Sequence, residues 1–225
     1  MNIARTTLIT SLIAFSSVAQ AAQHEASFEL GSLATPDPTW DLFSYGMASS
    51  TIGVRLGYGI DDRITILGSW HHDAQGGHAA HDFEYDDWND DSGFGLAFYG
   101  NTFAVGPKVR HAVKPWLAPY ATAQLMVLHG QIKLDDVTGE DDNANQLRYT
   151  SMAPGGMLTA GVDFMPFEVR HGAARLASHL ELGYGYVRPL EFSDDSGDDN
   201  SKTATSLGDL SFNGFAVRWG IGVRF

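Results

Sequence analysis

The chain has 225 residues, 44% of them hydrophobic and 18% charged, with 27 acidic against 14 basic residues and a formal net charge of −13. That acidity excludes nucleic acid as a partner, since phosphate binding needs clustered lysine and arginine, and the complete lack of cysteine excludes disulfides, thiolate metal sites and a cysteine nucleophile. No run reaches the roughly 18 apolar residues that a membrane-spanning helix requires.

Residues 1–21 have the pattern of a secretory signal peptide. Arg5 supplies a positive start, LITSLIAFSSV is an apolar core too short and too serine-rich to span, and Ala19-Gln20-Ala21 is an A-x-A cleavage site. The mature chain is expected to begin at Ala22.

From there one event repeats: a stretch alternating with period two, then a break. ASFELGSL places Phe28 and Leu30 against Ser27, Glu29 and Gly31. TIGVRLGYGI places Ile52, Val54, Leu56, Tyr58 and Ile60 against Thr51, Gly53, Arg55, Gly57 and Gly59. RITILGSW gives Ile64, Ile66 and Trp70, and GFGLAFYG sets Phe94, Leu96 and Phe98 against Gly93, Gly95 and Ala97. Pro115 to Leu134 is apolar but alternates poorly, which leaves its register open. GMLTAGVDFMP and SHLELGYGYV follow, with Leu158, Ala160, Val162 and Phe164, then Leu180, Leu182, Tyr184 and Tyr186, on their apolar faces. The last strand, FAVRWGIGVRF, sets Phe215, Val217, Trp219, Ile221, Val223 and Phe225 against glycine, alanine and the two arginines Arg218 and Arg224. Eight strands are predicted, and no helix.

Short and long connections take turns, as in an up-and-down meander. The long ones are loops 34–48, 73–91, 135–147 and 193–207. They hold 18 of the 27 acidic residues and, of the basic ones, only Lys202. The short turns carry Arg63, Lys108, Arg110, Lys114, Arg170 and Arg175 instead. An even number of antiparallel strands with tight turns at one end and long polar loops at the other predicts an all-β fold: an eight-stranded antiparallel up-and-down transmembrane β-barrel over residues 22–225. In lipid every backbone donor and acceptor must be paired within the protein, and a sheet achieves this only by closing. A soluble ligand-binding barrel would be apolar inside and polar outside, the reverse of this pattern.

Eight strands leave an interior wide enough only for side chains. Strand parity collects Glu29, Asp163 and Glu181 there with Arg55, Arg63, Arg218, Arg224 and His179. Buried ions are costly unless paired, so these residues are expected to form a salt-bridge network that blocks a pore. Trp40, Tyr45, Trp70 and Trp88 near the loops, and Trp116, Phe167 and Phe225 near the turns, fall where aromatic girdles belong.

The signal peptide, the alternating strands and the terminal RWGIGVRF together resemble the small outer-membrane barrels of the OmpA-transmembrane, OmpX and OmpW kind, over essentially the whole mature chain. The resemblance implies a monomer in the bacterial outer membrane, surrounded by lipid and lipopolysaccharide. It also implies that the barrel-assembly machinery reads the terminal strand, a signal that falls here on Val217, Trp219, Ile221, Val223 and Phe225. It defines a class and not a function. Within that class some barrels modify lipid A with a serine and a histidine near the rim, and OmpW-like barrels pass small hydrophobic solutes through the wall.

The loop text bears on function most directly. His71, His72, His78 and His81 lie close to Asp73 and Asp82, and imidazole with carboxylate suits Zn²⁺. No pair shows the spacing of a known site, which favours a solvated loop. DDVTGEDDN and DDSGDDNS lack the calcium-loop spacing, so Ca²⁺ or Mg²⁺ would be held loosely, bridging carboxylates to lipopolysaccharide phosphates. Ser69, His71 and Asp73 alternate on one face, but residues two apart on one strand point side by side and do not make a catalytic chain. The expectation is a non-enzymatic barrel with no dedicated cofactor, in a structural or surface-interaction role. The alternatives are metal capture by the histidine loop, hydrophobic solute passage and lipid A modification.

Overall fold

The computed structural model describes residues 24–36, 48–79, 94–136, 147–168, 174–194 and 209–225. The signal peptide, Trp40, Tyr45, His81, Asp82 and Trp88 lie outside them, as does the side chain of Phe167. Along the chain run β1 (Glu25–Ala34), β2 (Ala48–Gly59), β3 (Ile64–Ala79), β4 (Phe94–Arg110), β5 (Leu117–Asp136), β6 (Leu147–Glu168) and β7 (Arg175–Val187). Three two-residue strands follow, β8 (Leu190–Glu191), β9 (Ser193–Asp194) and β10 (Asp209–Leu210), and then β11 (Gly214–Arg224). Each of β1 to β6 pairs antiparallel with the next, and β11 pairs with both β7 and β1. The result is the closed eight-stranded up-and-down barrel, all antiparallel and, among the described residues, without helix.

Period two becomes two faces. Val54, Leu56, Leu125, Leu158, Leu180, Leu182, Val217 and Ile221 are all exposed on the outer wall, while Thr51, Arg55, Thr159, Glu181 and Arg218 are buried inside. That inversion of a soluble protein is the solution for a wall that meets acyl chains. Leu182→Arg, near the middle of β7, is expected to cost about 2–4 kcal/mol in lipid, the penalty of a cation at the hydrocarbon midplane. Urea unfolding in phosphatidylcholine vesicles measures it, and a loss below about 0.5 kcal/mol would mean that Leu182 does not face lipid.

The tight turn between β2 and β3 is held by Asp61, whose Oδ1 accepts the Arg63 and Ile64 backbone N–H groups at 2.7 and 2.8 Å. Those two donors hold its carboxyl below the usual carboxylate range.

Several expectations are corrected. Arg63 is exposed in this turn and does not enter the barrel. Lys108 and Arg110, read as turn residues, end β4 with both side chains buried inside. Loop 73–91 starts later than expected, because β3 runs to Ala79. The parity of β4 is also reversed: Phe98 points inward, 1% exposed, and the lipid face carries Phe103, Val105 and Val109. Gly93, Gly95 and Ala97 suggested the inside, yet the inner positions of β4 include Phe98, Thr102 and Lys108; Gly106 shares their parity, and a Cβ there would run into the Ala123 carbonyl of β5. The open register of β5 has a simple cause. Met126, Leu128 and Ile132 face inward while Leu125 and Val127 face outward, so both faces are apolar and alternation disappears.

The strands are unequal. β4, β5 and β6 have 17, 20 and 22 residues, whereas β1, β2 and β11 have 10, 12 and 11. Crossing the hydrocarbon takes about 9–11 residues. The surplus of β4–β6 therefore rises past the apolar belt at the loop end.

Candidate functional site

The interior has two layers. The layer toward the turns is ionic, and one row of register explains it: His71, Gly53, Glu29, Gly220 and His179 lie side by side across β3, β2, β1, β11 and β7. A Cβ at Gly53 would collide with the His71 ring, and one at Gly220 with the His179 ring. The glycines are the space over which both imidazoles lie to reach Glu29. His71 Nε2 and His179 Nε2 each stand 2.6 Å from a different oxygen of that carboxylate, and Arg55 Nε is 2.8 Å from it.

Arg55 joins this row to the next group. Its Nη2 donates to both oxygens of Glu181 at 3.0 Å, Tyr120 O–H donates to Glu181 at 3.0 Å, and Arg218 Nη1 lies 3.5 Å from it. Nearer the turns Lys108 Nζ reaches Glu25 at 3.1 Å and Asp163 at 2.9 Å, over the Tyr120 ring, with Arg224 3.9 Å from Asp163. Glu29, Arg55, Glu181 and Lys108 are each about 1% exposed. Charges this deep persist only when each has an opposite neighbour and hydrogen bonds; these four have both, while Arg218 Nη1 stands near Glu181 as a charge without a hydrogen bond.

Glu29, Arg55, Asp163, His179, Glu181 and Arg218 thus come together. Lys108, Glu25, Tyr120 and His71 belong with them and escaped the sequence reading; Lys108 was hidden because that reading set the even positions of β4, Phe98 among them, on the lipid face.

The second layer, toward the loops, is apolar. Phe98, Met126, Leu128, Ile132, Tyr149 and Met157 from the walls close around Leu190, Phe192, Leu210 and Phe212. The last four flank the fourth long loop, where β8 and β10 pair Leu190 with Leu210. These four flanking residues fold into the mouth of the barrel as a plug. Leu-x-Phe at 190–192 and again at 210–212 was the available signal.

Between the layers lies a cavity of about 30 Å³ bounded by Thr51, His71, Asp73, Thr102, Arg218 and Phe212. It is polar enough and large enough for a water molecule.

Of the residues read as metal ligands, His71, His72 and Asp73 have described side chains, while His81 and Asp82 lie outside the described residues. His71 is inside on Glu29, whereas His72 is outside, its Nδ1 3.2 Å from Asn101 Oδ1 and its ring stacked between Trp70 and Tyr99. Adjacent residues on a strand leave opposite faces, so these two cannot share an ion. Asp73 is buried inside, and His78 lies on β3 opposite Gly95. Among the described residues no group of three or more histidine, aspartate or glutamate side chains is placed to hold a metal. Ser69, His71 and Asp73 do share the inner face, yet His71 Nε2 is engaged by Glu29. In the terminal strand Val217, Trp219, Ile221 and Val223 face outward, and Phe225 exchanges backbone hydrogen bonds with His24 at 2.6 and 2.9 Å.

No protein-family model matches the chain, and no curated protein matches it in sequence. Solved structures do. The outer membrane protein OprG from Pseudomonas aeruginosa superposes with a TM-score of 0.52 at 11% identity, over 91% of this chain and 96% of that one. Ail, the attachment invasion locus protein of Yersinia pestis, gives 0.46 at 14% identity over 92% and 100%. Neisserial surface protein A gives 0.42 at 13% over 90% and 95%. At such identities the likeness is one of fold: the chain has the fold of the small eight-stranded outer-membrane barrels.

Proposed function

We propose that this protein is a monomeric, non-enzymatic barrel of the bacterial outer membrane, with a sealed interior. It serves as a scaffold that presents an acidic loop surface to cations, lipopolysaccharide and partner surfaces. The observation that carries the reading is the double closure of the lumen, by the Glu29–Arg55–Glu181 network below and the Leu190–Phe212 plug above. A barrel filled along its axis leaves its work to what it displays, and the four segments read as long loops hold 18 of the 27 acidic residues, of which Asp73 is buried inside the barrel. Ca²⁺ or Mg²⁺ held loosely by those loops would link them to lipopolysaccharide phosphates, and the terminal strand through Phe225 is the segment that the assembly machinery would read.

Planar-bilayer recording tests the sealed interior: no stable conductance step of porin size is expected from the reconstituted protein, and steady porin-like steps would sink the reading. Grafting the four loops onto an unrelated barrel tests the display role. The surface phenotype should travel with the loops; its staying with the parent barrel would count against a scaffold.

A further inference from the structure

Above Val187 the wall changes character. β7 ends there, Pro189 has no N–H to offer a ladder, and the Arg188 N–H donates across the seam to the Pro154 carbonyl at 3.0 Å. β6 regains a strand partner on that side at Thr150, opposite Ser193 of β9. Between these points the seam opens outward into a groove of about 760 Å³. Thr150, Met152 and Pro154 of β6 line one side of it, and Arg188, Pro189 and Glu191 line the other. Leu190 and Phe192 turn inward into the apolar plug. The groove is therefore blind, shaped to hold something and not to pass it inward.

Its charges stand in a fixed order. Arg188 lies at the level of Pro154, to which its N–H is bonded, and the pairing of Ser193 with Thr150 sets Glu191 further along, beside Met152. At about 3.3 Å per residue, that step of two residues puts Glu191 roughly 7 Å nearer the loops. Both residues are exposed, and among the described residues neither side chain is held in an ion pair. Glu191 is also in register with Asp209 of β10. One groove thus presents a guanidinium below and a carboxylate above.

Depth orients what can lie there. The exposed aromatics Tyr184, Tyr186 and Phe215 end the apolar belt just below, so the groove stands at headgroup level. Directly beneath it Gly156 is in register with Leu125 of β5 and Tyr186 of β7, both exposed. A Cβ at Gly156 would meet only the Gln124 carbonyl, at 3.4 Å. This glycine is an open notch between two large side chains, and it leads down to the exposed Leu158. A lipid with an acyl chain in the notch points its headgroup toward the loops, passing Arg188 first and Glu191 second.

We infer that the groove binds a lipid whose headgroup carries a phosphate and a terminal primary ammonium, the chemistry of phosphoethanolamine. Arg188 takes the phosphate, which lies nearer the acyl chains, and Glu191 takes the ammonium beyond it. Arginine forks match phosphate geometry, and a carboxylate accepts the N–H donors that an anionic headgroup lacks. Order is what selects this lipid: with the two side chains exchanged, like charge would meet like at both ends. The inference rests on the outer-membrane reading above.

Native mass spectrometry of the full barrel in detergent with EDTA, titrated with phosphatidylethanolamine and with phosphatidylglycerol of the same acyl chains, tests it. The wild type should bind phosphatidylethanolamine about tenfold more tightly, the worth of one charged hydrogen bond. Glu191→Gln should erase that preference while binding phosphatidylglycerol as before. Arg188→Gln should weaken both lipids alike, and Arg188→Lys should restore most of the loss. Equal binding of the two lipids by the wild type, a comparison that needs no variant, would overturn the inference. A preference undiminished in Glu191→Gln would overturn it too. So would free O-phosphoethanolamine that competes at the lipid's own concentration, since the groove would then take a soluble zwitterion. Membrane fractionation separates this from the underlying reading: wild-type protein missing from the outer-membrane fraction would remove the outer-membrane placement itself, whatever the titration shows.

Discussion

Replacing Glu29 by alanine is expected to destabilise the barrel by about 3–5 kcal/mol, the cost of removing one partner from a buried ionic cluster. Glu29 is the shared acceptor of His71, His179 and Arg55, at 2.6, 2.6 and 2.8 Å. Without it Arg55 keeps only Glu181 as a close anion, and two imidazoles that lie over Gly53 and Gly220 lose their hydrogen-bond partner in a site closed to solvent. The cavity left by the side chain adds to the loss. Glu29→Gln, which keeps the shape and one acceptor oxygen, should fall between the two proteins. Urea unfolding in lipid vesicles, followed by tryptophan fluorescence, gives the ranking. A cost under about 1 kcal/mol for Glu29→Ala, the value of an exposed surface pair, would show that the network is hydrated and not sealed.

Phe98→Ala should be nearly as damaging, at about 3–5 kcal/mol, because it empties a packed site in the plug. The Phe98 ring meets Phe212 at 4.9 Å, and Gly100 and Gly130 are so close that a Cβ on either would touch it. Two glycines and a phenylalanine from the plug therefore shape one pocket around this ring, and nothing nearby is free to fill it. Leu190→Ala should cost about 2–5 kcal/mol by the same mechanism. Val105→Ala on the lipid face is the control, since lipid closes over the two lost methyl groups without leaving a cavity. Should Phe98→Ala prove no worse than that control, the apolar layer would not be a packed core.

The two experiments probe different layers, and the layers differ in how visible they were. The ionic layer was legible for residues whose strands alternate cleanly: Glu29 in β1, Arg55 in β2, Glu181 in β7 and Arg218 in β11 each oppose glycine or small polar neighbours in an unbroken period of two. Lys108 was not, because Pro107 and Gly106 interrupt the pattern of β4 and make its end look like a turn. His71 was drawn toward a metal reading by His72 beside it, although alternation sends the two to opposite faces. The plug was hidden more deeply. Leu190, Phe192, Leu210 and Phe212 flank an acidic stretch, and their burial depends on where the wall of β4 to β6 stands.

The sequence by itself determined the barrel. Period-two alternation over eight segments, with the large apolar residues on one face and short and long connections in turn, has one stable solution in lipid, because a sheet there must close to satisfy its backbone. It determined the lipid face of every strand but β4 and β5 too, and the acidity of the loop end. Only the tertiary structure decided what fills the lumen and where the wall opens. Those outcomes depend on register between strands distant in the chain: which glycine lies beside Glu29, which loop flank meets Phe98, and where β7 ends against β6. Alternation fixes the face of each residue and leaves its height in the barrel free, and pairing across the closed sheet is what sets that height.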